Sequence, residues 1–325
     1  MTNSPHRLAR LLQSGGPFLG LLLVCVLFSL TEERAFIFTG GNLKNILTQT
    51  VIVAIGALGI TLIIVGGGID LSVGSVVAFT GVLGAKLLVA GWSPVATTLA
   101  LVLVGGAIGL FNGAIVAGFR MMPFIVTLGM MGVVRGSAKW LGENQTVNAP
   151  PDSPVSLLMA RVNPAEFWPL PPGVWIALGL AAVMALLLRE TVFGRYVFAI
   201  GANETAARFS GVRVGWVKAS TYAIAGLLFG FAGLLQMSRL TQGDPTVAIG
   251  LELDIIAAVV IGGASLNGGA GSIGGSLIGA LIMALLRNGT NQLGWQTYSQ
   301  EIIIGAVIVL AVGLDKWREA RMSAR

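Results

Sequence analysis

The stretch at 66–75, Gly-Gly-Gly-Ile-Asp-Leu-Ser-Val-Gly-Ser, places four glycines and one carboxylate between two long apolar segments. Hydrocarbon offers no water to backbone N–H and C=O groups. Irregular backbone therefore persists at membrane depth only where protein buries it or where it lines a polar cavity. We expect Asp70 to lie on or near a path through a membrane.

The composition is that of a membrane protein. Of 325 residues, 55% are hydrophobic and 10% charged, and the mean hydropathy is +0.85; an average soluble domain has about 25% charged residues. Long apolar runs without period-2 alternation predict an all-α polytopic membrane helical bundle. The pI near 10.0 does not indicate a nucleic-acid partner, because the cations flank the apolar runs.

The apolar runs predict about ten transmembrane segments in a single domain, 1–325. They fall near 17–31, 46–66, 72–90, 95–118, 122–141, 172–190, 217–238, 252–266, 271–288 and 300–314. The glycine-rich run 252–266 is short and is expected to be a broken or re-entrant helix. The run 122–141 carries Arg135 and Lys139 near one end.

The Lys and Arg residues predict an orientation with both termini in the cytoplasm. Twelve of the 20 then lie inside: Arg7, Arg10, Arg120, Arg189, Arg195, Arg208, Arg213, Lys218, Lys316, Arg318, Arg321 and Arg325. No small-x-small cleavage site follows the run 17–30, so we expect a retained first span rather than a signal peptide.

Several kinds of chemistry are disfavoured by the residues available. A single cysteine, Cys25, and a single histidine, His6, provide neither a disulfide framework nor a usual metal-ligand cluster. No G-x-x-x-x-G-K-[ST] motif occurs, so ATP binding of the P-loop type is excluded. We expect no catalytic residues, no metal and no cofactor.

Most of the 46 glycines are expected to let helices approach each other closely. Examples are Gly105, Gly106, Gly109, Gly226, Gly230 and Gly233. A local echo also occurs, because Gly-Gly-x-x-Leu-x-x-Gly at 67–74 recurs at 262–269. Internal repeats are common in transporters, and a duplication or a chance recurrence would both explain it.

Charged residues within the runs are candidates for function, since they are costly in a membrane. Asp70 could cap a helix beginning at Leu71, or it could contact a solute, and neither role excludes the other. Glu252 and Asp254 would point about 200° apart on a helix, so they are not expected to form an acid/base pair.

The segment 191–217, which carries Arg195, Glu204, Arg208 and Arg213, differs from the apolar runs. Glu204 to Phe209 reads as a short amphipathic helix, with Asn203 as N-cap and Gly211 as its stop. Such a helix could dock in a groove of another protein, or it could lie flat on the membrane surface. The longest outer loop, 142–172, would be a lid, a docking surface or a linker.

Four motifs carry a resemblance to a known family. They are Gly-Gly-Ile-Asp-Leu-Ser-Val-Gly at 67–74, Pro-Phe-Ile-Val-Thr-Leu-Gly at 123–129, Gly-x-Asn-Glu-x-Ala-x-Arg-x-Ser-Gly at 201–211, and the Glu-Leu-Asp segment continuing to Gly-Gly at 252–269. Together they resemble the permease subunit of bacterial ribose-type monosaccharide ABC importers over almost the whole chain.

The resemblance implies a permease in the bacterial inner membrane, paired with a second permease copy or homologue. Its other partners would be cytoplasmic ABC ATPase subunits, a periplasmic sugar-binding protein and membrane lipid. The segment 191–216 would be a cytoplasmic coupling loop, and 142–172 a periplasmic loop. Three positions depart from the usual family pattern: Met122, Phe209 and Ile304.

Two groups of site residues follow from these motifs. For the translocation pathway we assign Gly67, Gly68, Asp70, Ser72, Asn112, Glu252 and Asp254. For ATPase coupling we assign Asn203, Glu204, Ala207, Arg208, Phe209, Ser210 and Gly211.

The resemblance implies passage of a monosaccharide or related polyol, and the scarcity of charge in the spans favours a neutral solute. An ion-coupled secondary transporter with Asp70 as its coupling site is the alternative, although it leaves the segment 203–211 unexplained. An intramembrane enzyme is disfavoured, since no nucleophile and base pair is visible in the runs.

Overall fold

The structure is a computed structural model that describes residues 4–31, 37–159, 170–296, 298–306, 309 and 313, with side chains from residue 16 onward. The helices with assigned bounds are α1 (Ser4–Ser29), α2 (Gly40–Val65), α3 (Val73–Val89), α4 (Pro94–Gly118), α5 (Pro123–Leu141), α6 (Pro172–Glu190), α7 (Val192–Ala202), α8 (Glu204–Phe209), α9 (Val214–Leu240), α10 (Leu251–Ile261) and α11 (Ile273–Gln292). Residues 298–306 are also helical.

The all-α polytopic membrane bundle is confirmed. Within the described part of the chain, α2, α4, α6, α9 and α11 are long and apolar enough to cross a membrane by length and composition. Prolines set several helix starts, as the fixed φ of proline suits a first turn. Each predicted apolar run contains helical residues; 307–308, 310–312 and 314 of the last run lie outside the described residues.

The helices α4 and α9 pack closely against each other through glycines. A Cβ atom at Gly105 would overlap the backbone of Gly226 and Gly230, and one at Gly109 would overlap the backbone of Tyr222. Only glycine permits such a short separation between helices. The expectation that these glycines serve helix packing is confirmed.

The glycine break at 66–72 is irregular, and its residues Gly68, Asp70 and Ser72 are buried in the bundle. It begins where α2 ends and passes beside Tyr222 of α9, Asn112 of α4 and Thr127 of α5. The helix α3 that follows has 17 residues, about 25 Å at 1.5 Å per residue, which is short of the roughly 30 Å of a bilayer core. This crossing therefore combines irregular backbone with a short helix.

A second discontinuous crossing runs in the opposite direction beside the first. Its non-helical half, 241–250, consists of the strand β2 (Gln242–Gly243), which pairs antiparallel with β1 (Val147–Asn148), followed by turns over 245–250. This half follows α3 from Gly81, which contacts Gly243, down to Gly74, which contacts Ala248. The helical half is α10, which has only 11 residues. The predicted broken helix at 252–266 is thus observed as α10.

The segments 67–74 and 262–269, which carry the echo, each follow a helix that ends in the same way. In the first, Gly67 takes φ +79° and Gly68 N–H donates to the Ile63 carbonyl. In the second, Gly263 takes φ +90° and Ala264 N–H donates to the Val259 carbonyl. This is the Schellman arrangement, in which glycine adopts the left-handed conformation after a helix. The two helix ends are one residue out of register with the sequence echo, so duplication and chance recurrence both stay open.

The segment 191–216 contains one helix that we predicted and one that we missed. The predicted helix is α8, whose bounds and Asn203 N-cap match the expectation; Asn203 Oδ1 accepts from Ala206 N–H at 2.9 Å. Gly211 follows with φ +85°. The missed helix is α7, which is separated from α6 by a single residue, Thr191.

The loop at 142–172 is described up to residue 159 and from residue 170 onward. Its first part packs against the bundle, since Ser238 Oγ of α9 donates to the Ser156 carbonyl and accepts from Met159 N–H. The roles of lid, docking surface and linker stay predictions for this loop.

Candidate functional site

Three chain segments meet at one end of the bundle, in what we call the glycine junction: Gly67, Gly201, Gly268 and Gly269 around the carbonyl of Val65. Gly269 N–H donates to the Val65 carbonyl at 2.8 Å. A Cβ atom at Gly201 would overlap both of these backbone groups, and one at Gly268 would overlap the Cα of Gly67. The end of α7 is thus in direct backbone contact with the breaks that follow α2 and α10.

Asp70, Ser72 and Asn112 form one buried polar cluster above this junction. Asp70 Oδ1 accepts from Ser72 N–H at 2.7 Å and from Ser72 Oγ at 2.6 Å. Asn112 Nδ2 donates to Ser72 Oγ at 3.1 Å. The second carboxylate oxygen of Asp70 and the amide oxygen of Asn112 are buried without a partner among the described residues. The cluster retains two unused acceptors.

Asp70 does not cap a helix beginning at Leu71, which corrects the expectation. The helix α3 begins at Val73, and its N-cap residue Ser72 makes no side-chain capping bond. The Asp70 carboxylate instead accepts hydrogen bonds from Ser72, two residues further along, as in an Asx turn. These bonds hold the backbone of residues 70–72 just before α3 begins.

Two further side chains hold the break, and sequence reasoning missed both. Leu71 N–H donates to Thr127 Oγ1 at 3.2 Å, and the same hydroxyl lies 3.2 Å from the Ile69 carbonyl. The Tyr222 hydroxyl lies 3.5 Å from that carbonyl. The N–H and C=O groups of irregular backbone have no backbone partners within their own segment. Here side chains of the neighbouring helices provide those hydrogen-bond partners. A small cavity of about 20 Å³ beside Tyr222 and Gly68 has room for about one water.

Glu252 lies where the two helical halves begin. A Cβ atom at Gly74, in the first turn of α3, would overlap the Glu252 carboxylate and the Ala248 carbonyl. Arg135 of α5 clamps the incoming chain, because its Nη1 donates to the carbonyls of Pro245 at 3.0 Å and Val247 at 2.6 Å. Arg135, one of the two cations in the run 122–141, thus stabilises the backbone of the segment before α10.

Asp254 lies on the other side of α10 and pairs with Arg287 of α11 at 2.5 Å. Glu252 and Asp254 therefore have different surroundings, as their spacing predicted. Asp254 and Arg287 line a cavity of about 380 Å³ between α2, α9, α10 and α11. Its other polar lining residues are Gln49, Gln236, Arg239 and Asn291. Of this polar wall, sequence reasoning identified Asp254 alone.

The predicted coupling helix α8 is fixed by two ion pairs on Glu204. Arg208 Nη2 lies 2.7 Å from Glu204 Oε1, one helical turn away, and Lys218 Nζ of α9 lies 2.6 Å from Glu204 Oε2. The hydrogen bond from Lys218, helped by Arg208, lowers the pKa of Glu204 below its ordinary value. Ala207 is the buried residue of α8 and faces the bundle.

The outer face of α8 exposes a large apolar side chain. Phe209 is 88% exposed, and Trp216 in the first turn of α9 is 74% exposed. Ser210 Oγ closes the helix end by donating to the Ala206 carbonyl at 3.0 Å. A rigid, capped helix carrying an exposed aromatic ring is suited to a protein partner.

Comparisons with known proteins agree on one family. The family model for the branched-chain amino acid transport system / permease component matches residues 42–312. The ribose import permease protein RbsC of Escherichia coli (strain K12) is 41% identical over 92% of this chain and 92% of its own.

Two relatives with other names are similar over comparable lengths. The L-arabinose ABC transporter permease protein AraH of Azospirillum brasilense is 35% identical over 97% of this chain and 91% of its own. The fructose import permease protein FrcC of Rhizobium meliloti is 34% identical over 93% and 84%. No solved structure matches the chain. The chain belongs to this family of permease components of ABC importers, as a transport subunit rather than an ATPase.

Proposed function

We propose that the chain forms the membrane pathway of an ABC importer for a neutral monosaccharide or a related polyol. Three relatives carry the names of ribose, L-arabinose and fructose permeases. The buried polar groups of the described bundle are mainly amides, hydroxyls and an ion pair, rather than a cluster of charges of one sign. The observation that carries the proposal is the exposed helix α8, attached through α7 to both backbone breaks at the glycine junction.

The proposal assigns the glycine-junction end of the bundle to the cytoplasm, together with both chain termini. This assignment is supported by the arginines at that end of the bundle: Arg208 in α8 and Arg189 in the last turn of α6. Cytoplasmic loops carry an excess of Lys and Arg. The opposite end, with β1 and β2, then faces the periplasm of the inner membrane and receives the sugar-binding protein.

In the proposed mechanism, movement of an ATPase subunit reaches the pathway through α8. Phe209 docks in a groove of the ATPase, and the ion pairs of Glu204 keep α8 rigid against α9. Displacement of α7 then shifts Gly201 against Val65 and Gly269. Because close-packed backbones leave no free volume there, both discontinuous crossings move together.

The proposed pathway follows the two discontinuous crossings. Around the first are Gly67, Gly68, Asp70, Ser72 and Asn112, and around the second are Glu252 and Asp254. Substrate sites in transporters form where helices are interrupted, since free backbone groups and polar side chains collect there. A second permease copy or homologue completes the pathway, and two ATPase subunits drive it.

The decisive experiment is reconstitution with the ATPase and the binding protein in proteoliposomes. Sugar-loaded binding protein should stimulate ATP hydrolysis in the wild type, and the stimulation should be lost in Phe209→Asp and Arg208→Glu. Phe209→Leu and Arg189→Glu are the matched controls and should retain it; Arg189 is another exposed cation at this end. Unchanged stimulation in both test variants would contradict the proposal. Uptake by the isolated chain without ATPase would favour an ion-coupled transporter.

A further inference from the structure

The cavity beside Asp254 has the size and shape of a small-molecule site. Its volume of about 380 Å³ falls within the roughly 300 to 1,000 Å³ of ligand pockets in proteins. Its walls come from four helices and from the turn residues 247–249. The first turn of α10 therefore faces it, so the cavity lies at an interrupted helix, as transporter sites do.

Several polar groups in the cavity wall have no partner. Gln236 is 6% exposed, and its amide makes no hydrogen bond among the residues that the structure describes. The same holds for Gln49 on the facing helix α2. Nε of Arg287 is buried and donates to no acceptor in the described chain. Buried polar atoms are normally satisfied, so Arg287 Nε calls for a ligand or water. Gln236 is buried and Gln49 is half-buried, and both line the cavity.

The chemistry of the wall matches hydroxyl groups. A carboxamide both donates and accepts, as a sugar hydroxyl does, and two amides face the cavity from opposite helices. The pair of Asp254 and Arg287 adds one acceptor and one donor without net charge. Arg239 also lines the cavity and forms no ion pair among the described residues, so its guanidinium adds hydrogen-bond donors and makes the net charge of the wall positive.

We infer that this cavity is a solute-contact site in which Gln236, Gln49 and the Asp254–Arg287 pair bind a neutral polyhydroxylated molecule. The inference rests on the proposed function and names the substrate site within it. Apolar lining by Ile52, Val53 and Leu251 supplies the surface on which the carbon side of a sugar ring packs.

The test measures ATP-driven uptake of D-ribose, L-arabinose and D-fructose, with sodium gluconate as the anionic comparator, by the full complex. Gln236→Leu keeps the side-chain volume and removes both hydrogen-bonding atoms, so KM for the transported sugar should rise roughly two- to tenfold. Thr97→Val is the matched control; its hydroxyl is also buried without a partner, but on α4 and outside the cavity. Its KM should equal that of the wild type.

A second measurement serves if Gln236→Leu is poorly inserted. Gln236→Cys in a Cys25→Ser background should react with a methanethiosulfonate reagent, and saturating transported sugar should slow that reaction. An unchanged KM in Gln236→Leu, or labelling that sugar does not slow, overturns the inference while the proposed function stands. Uptake of gluconate in preference to all three sugars also overturns it. Absence of any ATP-driven uptake by the wild type overturns both.

Discussion

Gly201, near the end of α7, lies against the carbonyl oxygen of Val65, the last residue of α2, with no space for a side-chain carbon between them. The same carbonyl accepts the hydrogen bond from Gly269 N–H. A single backbone atom thus joins the loop that carries α8 to both discontinuous crossings. In the proposed mechanism, this contact couples movement of the loop to movement of the pathway.

Gly201→Ala is therefore expected to reduce sugar uptake strongly while the protein still inserts. The added methyl group must displace backbone, and overpacking of this kind costs about 1–3 kcal/mol. The melting temperature of the purified complex should fall, and uptake at matched protein levels should drop at least tenfold. Gly215→Ala is the control, because its methyl group would meet Ala117 at an ordinary 3.9 Å. Equal losses in both variants would contradict the assigned role of the junction.

The proposed orientation predicts which cysteines a membrane-impermeant maleimide reaches. In a Cys25→Ser background, Asp152→Cys should react from the periplasmic side and Arg213→Cys from the cytoplasmic side alone, since both residues are exposed at opposite ends of the bundle. Ser153 is a poorer labelling position, because its hydroxyl is buried. Labelling of intact cells and of inverted vesicles distinguishes the two sides, and reversed sidedness would refute the orientation.

Local sequence signals predicted where helices begin and end better than they predicted which residues contact each other. The helices that begin at Pro94, Pro123 and Pro172 start within one residue of the predicted runs, and α8 has its predicted bounds because Asn203 and Gly211 act within their own turn. The helix α7 was missed, since a single residue separates it from α6 and no turn residue marks the boundary.

The cavity wall could not be predicted, for a physical reason. Gln236 and Arg287 each stand alone in an apolar run, and nothing nearby in the chain indicates a partner. Their role depends on how α9 and α11 pack around α10. Thr127 and Tyr222 were missed for the same reason, because they serve the backbone of a distant segment.

The charge of Glu204 predicts how coupling depends on pH. Lys218 and Arg208 lower its pKa, so the favourable interaction is complete above the ordinary value near 4.3 and is lost as the pH falls through the lowered folded value. Glu204→Gln should reduce solute-stimulated ATP hydrolysis by at most a few-fold, because such partly exposed pairs contribute about 0–1 kcal/mol. The ratio of wild type to variant should stay constant from about pH 5.5 to 8. A ratio that approaches one near neutral pH would contradict the ion-pair assignment.

Substitutions of Asp70 separate a structural role from ion coupling. If Asp70 holds the irregular backbone, Asp70→Asn should retain most uptake, because an amide oxygen can accept from both Ser72 N–H and Ser72 Oγ as Oδ1 does. Asp70→Ala leaves those two donors without their acceptor and should cost roughly 1–3 kcal/mol of stability, with most of the uptake lost. Ser75→Ala, a buried hydroxyl without a partner in the described chain, is the control and should behave as the wild type. Uptake by all variants is measured at two pH values with protein levels matched. A stably inserted but inactive Asp70→Asn variant, or uptake driven by a pH gradient, would contradict the structural role and favour a site for protons or cations.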